Sequence, residues 1–595
     1  MNLSRLFAVI CATAVIAACD SGDINIAPEN NTDNSNQNNN NTNVSGSGPN
    51  DGCASITVGG NEVSGQKDAD GNCEYTDVFA GPTSPLTQDV TIPALPGGAA
   101  HKFKTSLFVG QTYNSQAELS ANGITQGGDG PTLTIEPGAV IAFETRRDFL
   151  IVNRGSQIIA QGTSRAPITF TSISDVEGTL PTTVDDPTGS RAVQQWGGIV
   201  INGFGVSNKC TYDGVRGEAG FALATGTECS IEAEGSEGDD ESQYGGANDD
   251  DSSGILEYVV VKHTGAQVAN GDELNGISFG GVGRGTVIRN LQVYSTYDDG
   301  VEMFGGSVDI ENLVAINVRD DSIDIDEGYN GTISNALVIQ QANDGDHCIE
   351  ADGIGSYSGY PDTPEGQAAK DALIAAGLNS RPTINNLTCI VSANADGTHS
   401  DGSGIRLREG IYPTINNLLV ISSFADDAAG GSDNYCLRID SSETQAAAVA
   451  GDLSLNGAIF ACQTPAKGNA IGAFADEQAW AESTGVQFAT LAQGAGSALP
   501  PLAGNGTLEL LDATAQPVFS LEHGDMLVDG LGAAASTAPV EVTIPQYDVD
   551  GNPIAPIVTT PTYLGGEVTG SDYSDPWAFG INPNNRGEAL WFEGT

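Results

Sequence analysis

Charged side chains recur at matching positions in five short, similar segments near the middle of the chain. Each segment contains an apolar residue that would face the interior of a strand, so the next side chain would point outward. The outward residues are Glu302, Asp324, Glu350, Arg406 and Arg438, which we call the outer row. The segments that hold the first three are preceded by Asp298, Asp299, Asp320, Asp321 and Asp346. One face of a sheet would therefore carry acidic groups first and basic groups later.

Aligned carboxylates on this face predict a Ca²⁺ site. Neighbouring strands lie about 4.8 Å apart, so stacked carboxylates repel one another unless they are neutralised. Ca²⁺ takes about six to eight oxygen ligands in flexible geometry. The predicted ligands are Asp298, Asp299, Asp320, Asp321, Asp324 and Asp346. The alternative is that these aspartates cap turns by accepting hydrogen bonds from nearby backbone.

The change from carboxylates to arginines along the outer row predicts a binding face for a polar, sugar-like ligand. The predicted ligand-binding residues are Glu302, Glu350, Arg406, Arg408 and Arg438. The alternative is an ion-pair network along the protein surface, with no ligand. The histidines occur singly, and we expect His263, His347 and His399 to be hydrogen-bonded loop or ladder residues.

Two enzymatic alternatives concern the same residues. YDDGVEM (297–303) and RDDSIDI (319–325) resemble the paired-aspartate strands of polygalacturonase-type glycoside hydrolases. That resemblance implies carboxylate roles for Asp299, Asp320 and Asp321, at the separation of about 6.5–9.5 Å that inversion requires. The other motifs of that family are absent, and the nearest segments are DGTH (396–399) and RLR (406–408). A pectate-lyase-like reaction with Ca²⁺ and Arg406 as base is the second alternative; we favour binding without catalysis.

A repeat indicates which elements position these residues. Five segments share Ile-x-Asn followed by Leu or Ala, and they begin at residues 288, 310, 333, 384 and 415. The first two steps (288 to 310 and 310 to 333) are 22 and 23 residues, as expected for one β-helix coil. Stacked asparagines could then hydrogen-bond from coil to coil. We predict an all-β fold, a right-handed parallel β-helix, with short helical insertions at 363–377 and 473–484.

The cysteines predict four disulfides. Two of the ten lie at the N-terminus, Cys11 in the apolar leader and Cys19 after it. The other eight fall in near pairs, as expected of an exported protein. Cys348 and Cys436 each precede an outer-row strand, and Cys389 and Cys462 each lie near the end of a following strand. The predicted pairs are Cys53–Cys73, Cys210–Cys229, Cys348–Cys389 and Cys436–Cys462.

The N-terminus predicts export and a lipid anchor. A basic residue and a short apolar run lead to IAAC (16–19), which resembles a bacterial lipobox and implies acylation of Cys19. We predict a signal peptide (1–18), an Asn-rich disordered tether (19–52), a β-rich entry region (53–130), the β-helix (131–508) and a C-terminal capping region (509–595). The expected location is the cell envelope, at the outer membrane or cell surface rather than the inner membrane.

The net charge narrows the choice of partners. The chain has 77 acidic and 22 basic residues, a formal charge of −55. Such a surface repels nucleic acid and anionic lipid head groups. We therefore expect no nucleic-acid partner, and membrane association only through the lipid anchor.

One long block resembles a known family. The block contains GDELNGISFGGVGRGTVIRNLQVYSTYDDGVEMFGG (271–306) and VRDDSIDIDEGYNGTISNALVIQ (318–340). It is similar to a family of bacterial cell-surface lipoproteins with a parallel β-helix. The resemblance implies the fold and a surface location, with no established activity. It also suggests a TonB-dependent receptor as a partner. We predict that the protein binds a ligand such as a polysaccharide at the cell surface; the alternatives are a polysaccharide-degrading enzyme and a structural surface protein or adhesin.

Overall fold

The computed structural model describes residues 52–184, 186–234, 242–266, 274–341, 344–355, 360, 363–392, 402–422, 435–462, 464–488, 521–522, 537–548, 551–566, 576–581, 585 and 590. The predicted signal peptide, Cys19 and the tether lie outside the described residues, as does the DGTH segment with His399. In the described part, no helix is long and apolar enough to cross a membrane.

Short strands make up most of the described chain. The first strands are β1 (Ser55–Val58), β2 (Asn61–Ser64), β3 (Gln66–Lys67), β4 (Cys73–Tyr75), β5 (Val90–Ile92), β6 (Ala100–Phe103), β7 (Leu107–Val109), β8 (Thr132–Ile135), β9 (Val140–Phe143), β10 (Leu150–Val152), β11 (Gln157–Gln161), β12 (Ile168–Ser172) and β13 (Ile199–Asn202). The middle strands are β14 (Tyr212–Asp213), β15 (Ala222–Leu223), β16 (Ile231–Glu232), β17 (Gln243–Tyr244), β18 (Gly254–Lys262), β19 (Ile277–Gly280), β20 (Val287–Tyr294), β21 (Val301–Phe304), β22 (Asp309–Ile316), β23 (Ile323–Asp326) and β24 (Thr332–Ile339). The last strands are β25 (His347–Asp352), β26 (Thr383–Val391), β27 (Ser403–Arg408), β28 (Thr414–Ser422), β29 (Tyr435–Ile439), β30 (Ser454–Asn456), β31 (Ile459–Ala461), β32 (Thr464–Ala466), β33 (Gln487–Phe488), β34 (Leu521–Glu522), β35 (Val542–Tyr547), β36 (Pro553–Thr559) and β37 (Tyr563–Leu564).

Five short helices interrupt the strands. They are α1 (Gln116–Ala121), α2 (Ile173–Val176), α3 (Pro364–Ala375), α4 (Ser442–Ala450) and α5 (Glu477–Thr484), with a 3₁₀ turn at Pro96–Gly98. The predicted helical insertions at 363–377 and 473–484 are confirmed by α3 and α5. Thr363 begins α3 by accepting a hydrogen bond from the Gly366 N–H, as a capping threonine does. The sequence analysis did not anticipate α1, α2 and α4.

Two parallel sheets wind into a β-helix, which confirms the predicted fold class. A ten-stranded sheet contains, in chain order, β7, β10, β13, β19, β21, β23, β25, β27, β29 and β32. The long strands β18, β20, β22, β24, β26 and β28 lie in register in the second, seventeen-stranded sheet. Strands β6 and β7, which precede residue 131, already pair in parallel with β9 and β10.

The interior of the solenoid is apolar because side chains alternate along each strand. The residues predicted to face inward are Val301, Ile323, Ile349, Ile405 and Leu437, and all are 0% exposed. They pair in register from coil to coil, so each covers the residue of the previous coil. The same register necessarily aligns the residues that follow them on the outer face.

The predicted asparagine ladder is present along the second sheet. In the long strands β20, β22, β24, β26 and β28 the asparagine has a φ of 52° to 61°, a left-handed conformation that asparagine tolerates better than most residues. The side-chain amides of successive coils are hydrogen-bonded at 2.9 to 3.1 Å, through Asn290, Asn312, Asn335, Asn386 and Asn417. Each of these five strands therefore bends at its asparagine, and the ladder satisfies the amides at the bend.

All four predicted disulfides are confirmed. Cys348–Cys389 and Cys436–Cys462 each join the ten-stranded sheet to the second sheet, and their four side chains are fully buried. Cys53–Cys73 lies in the entry region, and Cys210–Cys229 closes a loop in the insertion between β13 and β18.

Described parts of the C-terminal tail lie along the outer face of the second sheet. The Thr537 hydroxyl donates to the Gly485 carbonyl near the last coils. On the earlier strand β20, Gln292 exchanges two hydrogen bonds with the backbone of Phe579, at 2.6 and 2.7 Å. Trp577 is buried against Tyr258, with ring centroids 5.8 Å apart. The tail thus covers much of one face, and the outer row lies on the other sheet.

Candidate functional site

The outer row forms on the ten-stranded sheet as the sequence predicts. Strand register aligns Ser278, Glu302, Asp324, Glu350, Arg406 and Arg438 on successive strands. Asp352 and Arg408 are a second aligned pair, two positions further along. The row is therefore continuous over five strands, from β21 to β29.

Carboxylates at the start of the row converge in two groups. One oxygen from each of Asp298, Asp299 and Asp320 lies within 4.8 Å of the others. Asp299, Glu302 and Asp324 form a second group by the same measure. Because Asp299 belongs to both, five carboxylates form one connected cluster, which we call the acidic cluster.

Asp299 and Asp321 also hold the backbone of the next coil. The Asp299 N–H donates to Asn275, Asp299 Oδ1 accepts from the Asp321 N–H at 3.0 Å, and Asp321 Oδ1 accepts from the His347 N–H at 2.7 Å. These contacts match the turn-capping alternative for one oxygen of each aspartate. The other carboxylate oxygen is not used by this ladder, so capping and cation binding are compatible.

The carboxylates of the acidic cluster are unfavourable while they are all ionised and unpaired with a cation. Burial raises the pKa of Asp299, Glu302 and Asp324 well above the ordinary carboxyl range, and repulsion from neighbouring carboxylates raises it further. Glu302 accepts a hydrogen bond from the Asn275 amide at 2.5 Å. In the described part of the chain, no lysine or arginine forms an ion pair with these three carboxylates. A proton or a metal cation would therefore stabilise them.

His347 contacts the third group of potential ligands. Its Nδ1 lies 2.8 Å from Asp321 and 3.1 Å from Asp346, and its Nε2 lies 2.9 Å from the Tyr435 hydroxyl. Burial lowers the pKa of His347, but attraction to Asp321, with smaller contributions from Asp346 and Glu350, outweighs it and raises the pKa to about 9. His347 is therefore an imidazolium at neutral pH, which neutralises this part of the site.

Ion pairs occupy the arginine end of the row. Arg406 contacts Glu350 at 2.8 Å and Asp440 at 3.0 Å. Arg408 contacts Glu350 at 2.5 Å and also pairs with Asp352. Arg438 contacts Asp440 at 2.8 Å. The three arginine side chains remain 24% to 29% exposed, so a ligand could reach them without breaking these pairs.

The chain matches a known family over most of this solenoid. A family model described as the pectate-lyase-like β-helix domain matches residues 106–501. The chain belongs to this family. No curated protein and no solved structure matches it. Membership in the pectate-lyase-like β-helix family fits a protein that acts on or binds polysaccharide.

The family's β-helix brings together part of the predicted Ca²⁺ ligand set. Asp298, Asp299, Asp320 and Asp324 belong to the acidic cluster together with Glu302. Asp321 and Asp346 instead lie with His347, whose positive charge disfavours a metal there. Four of the six predicted ligands therefore lie in the acidic cluster, and the other two lie beside the His347 imidazolium.

Sequence reasoning missed the groups that border the row on its other side. Glu327 accepts hydrogen bonds from the Ser207 hydroxyl at 2.6 Å and the Tyr244 hydroxyl at 2.8 Å. Tyr244 also packs beside Phe304 of the outer face, with ring centroids 6.1 Å apart. Both partners of Glu327 belong to the insertion that contains the Cys210–Cys229 disulfide. The insertion folds back so that both residues contact Glu327, directly after β23. No periodicity in the sequence predicts this contact.

Proposed function

We propose that this protein is a lipid-anchored protein of the cell envelope that binds acidic polysaccharide through Ca²⁺ on the ten-stranded sheet. The acidic cluster is the observation that carries the proposal, because Asp299 is shared by two groups of closely spaced, buried or half-buried carboxylates. Such a set has the oxygen donors that Ca²⁺ prefers. Carboxylates of an acidic sugar would complete the coordination shell of a cation held there.

The arginine end supports binding along the row. Arg406, Arg408 and Arg438 follow the acidic cluster on the same face and keep part of their surface exposed. An acidic glycan lying along the sheet would meet a cation first and guanidinium groups next. Arginine suits such recognition because it donates in a fork that matches carboxylate geometry.

One distance and one pKa shift favour binding over catalysis. One oxygen of Asp299 and one of Asp320 lie within 4.8 Å, whereas inverting hydrolases separate their carboxyl groups by about 6.5–9.5 Å to admit a water. A lyase reaction needs a neutral arginine as base. Burial lowers the pKa of Arg406, but the attraction of Glu350 outweighs it and the pKa is raised. This pairing makes Arg406 a poorer base.

Calorimetric titration with Ca²⁺, followed by binding to immobilised polygalacturonate and alginate with and without EDTA, tests the proposal. We expect retention on the glycan in Ca²⁺, loss of retention in EDTA, and at least tenfold weaker Ca²⁺ binding in Asp299→Asn. Asp213→Asn, an exposed residue of β14, is the matched control and should bind as the wild type does. Unchanged Ca²⁺ affinity in Asp299→Asn would refute the site, and unsaturated sugars or new reducing ends would refute binding without catalysis.

The location and partner rest on the sequence alone. The lipobox-like IAAC segment supports acylation of Cys19, and metabolic labelling with a fatty acid should fail in Cys19→Ala. The family resemblance supports a TonB-dependent receptor as the partner that would receive captured glycan. Co-purification of such a receptor from cross-linked envelopes, lost in Cys19→Ala, is the expected result.

A further inference from the structure

Helix α5 covers the last coils of the solenoid, and a buried carboxyl group lies at its start. Glu477 is 1% exposed. One side of its carboxyl group accepts a hydrogen bond from the Ile439 N–H of β29, whereas Oε2 has no hydrogen-bond partner among the described residues. The side chain fits because residue 468 is glycine: a Cβ there would lie 1.7 Å from Glu477 Oε1. An ionised carboxylate is costly in such a position, whereas a neutral carboxylic acid is tolerated.

A second side chain of α5 is also buried where the helix docks. Trp480 is 2% exposed, and its indole N–H donates to the Ala448 carbonyl of α4 at 3.1 Å. Asp476 begins the helix by accepting from the Ala479 N–H at 2.8 Å. The Trp480 contact holds α5 against α4, and the helix also packs against β29 and β32, next to the arginine end of the outer row.

We propose that α5 is a proton-controlled cover, which stays docked while Glu477 is neutral and is released when Glu477 ionises. Release would expose the Ile439 N–H at the end of the sheet together with Arg438 and Asp440. The inference is independent of Ca²⁺ and glycan binding, because it concerns only the docking of this helix.

The burial of Glu477 and the charged groups around it set the pH range over which α5 is released. Burial raises the pKa of Glu477 to about 8; the Ile439 N–H and Arg438 oppose this, and Asp440 and Asp476 add to it. Lys467 follows β32 and lies over the Tyr435 ring, 5.5 Å from its centroid. On α4, Glu443 is paired with Lys370. Strand β30 carries no titratable side chain.

The sign of the effect follows from the two protonation equilibria. A released Glu477 has an ordinary pKa near 4.5, so at pH between about 5 and 8 the docked form binds a proton that the released form lacks. The equilibrium constant for release should rise about tenfold per pH unit in this range and level off above about pH 8. The full change is about 3000-fold.

Hydrogen exchange followed by mass spectrometry of the full chain in EDTA tests this directly. After correction for the intrinsic exchange rate, the protection factor of α5 amides should fall about tenfold per unit from pH 5 to 8 in the wild type. Glu477→Gln should remove the fall, whereas Glu482→Gln, an exposed residue of the same helix, should keep it. Strand β26 should show no such change in any variant.

A second variant tests the same proposal if Glu477→Gln is poorly folded. Gly468→Ala should expel the Glu477 side chain and leave α5 poorly protected at every pH. A wild-type fall of less than threefold from pH 5 to 8 would overturn the proposal. So would an equal fall in Glu477→Gln, or wild-type protection in Gly468→Ala.

Discussion

Replacing Asp324 by asparagine should stabilise the metal-free protein and weaken its response to Ca²⁺. Asparagine keeps the size of the side chain and can still accept the hydrogen bond that Asp324 Oδ1 takes from the Ile325 N–H at 2.6 Å. What the change removes is one negative charge from the group formed with Asp299 and Glu302. The substitution therefore separates the electrostatic role of the cluster from its packing.

The magnitude follows from the spacing of the oxygens. At 4.8 Å and an effective dielectric constant of about 20, two full charges repel by about 3.5 kcal/mol. Partial protonation reduces this, because the pKa of each of the three carboxyls is raised. We expect Asp324→Asn to raise the free energy of unfolding by about 2 kcal/mol at pH 8 in EDTA.

The pH dependence of stability in the two proteins checks whether charge repulsion causes the difference. A carboxyl whose pKa is raised by folding contributes stability that is complete below its unfolded pKa, about 3.9, and is lost as the pH rises through the folded value. The wild type should therefore lose stability from pH 4 to 8 more steeply than Asp324→Asn, and the two proteins should be nearly equal at pH 4.

Calcium should reverse the order of stability. At about one hundred times its dissociation constant, Ca²⁺ would stabilise the wild type by about 2.7 kcal/mol, and Asp324→Asn by much less. Urea unfolding with EDTA or Ca²⁺ measures both effects, with Asp213→Asn as the control. A less stable Asp324→Asn in EDTA at pH 8 would refute the repulsion, and equal stabilisation of both proteins by Ca²⁺ would refute the cation site.

Three further changes test the scaffold and its charges. Replacing both Cys348 and Cys389 by alanine should cost about 4 kcal/mol of unfolding free energy in denaturant titrations, because the disulfide closes a loop over a sequence separation of 41. Asn335→Ala should cost about 2–3 kcal/mol by the same assay, since it removes two ladder hydrogen bonds at a φ of 58°, and Asn335→Gly should recover about 1 kcal/mol of that. His347, with its pKa raised to about 9, stabilises the fold below about pH 6.5 and loses that contribution by pH 9. The difference in stability between wild type and His347→Gln should therefore shrink by about 3 kcal/mol over that range, and a constant difference would contradict the ion-pair assignment.

The repeated segments made the solenoid and its outer row predictable. A coil length of 22 or 23 residues fixes which side chains stack, so the inward Val301 and Ile323 and the outward Glu302 and Asp324 follow from the same alternation. The disulfides followed from the repeated position of Cys348 and Cys436 ahead of two aligned strands. These features depend on local period and register, which a single sequence contains.

Contacts between insertions and coils were not predictable in this way. The Tyr244 hydroxyl reaches Glu327 across 83 residues, and the Phe579 backbone reaches Gln292 across 287 residues. His347 was expected to be an isolated hydrogen-bonded residue, yet three carboxylates lie within 4 Å of its Nδ1. Its environment comes from the turns of neighbouring coils, whose conformations the repeat pattern does not specify.

Repulsion between stacked carboxylates is offset in different ways in the two halves of the outer row. Any register that stacks apolar residues inside the solenoid also stacks the carboxylates outside it, at a spacing where they repel. From Glu350 onward, the positive charges of Arg406 and Arg408, and of His347 at neutral pH, offset that repulsion. At Asp299, Glu302 and Asp324, the described residues form no ion pair with lysine or arginine, Arg408 attracts Asp324 only from a longer distance, and burial increases the cost. A cation from solution could supply the positive charge that no ion pair among the described residues gives these three carboxylates, and a cation held there would be free to coordinate an acidic ligand.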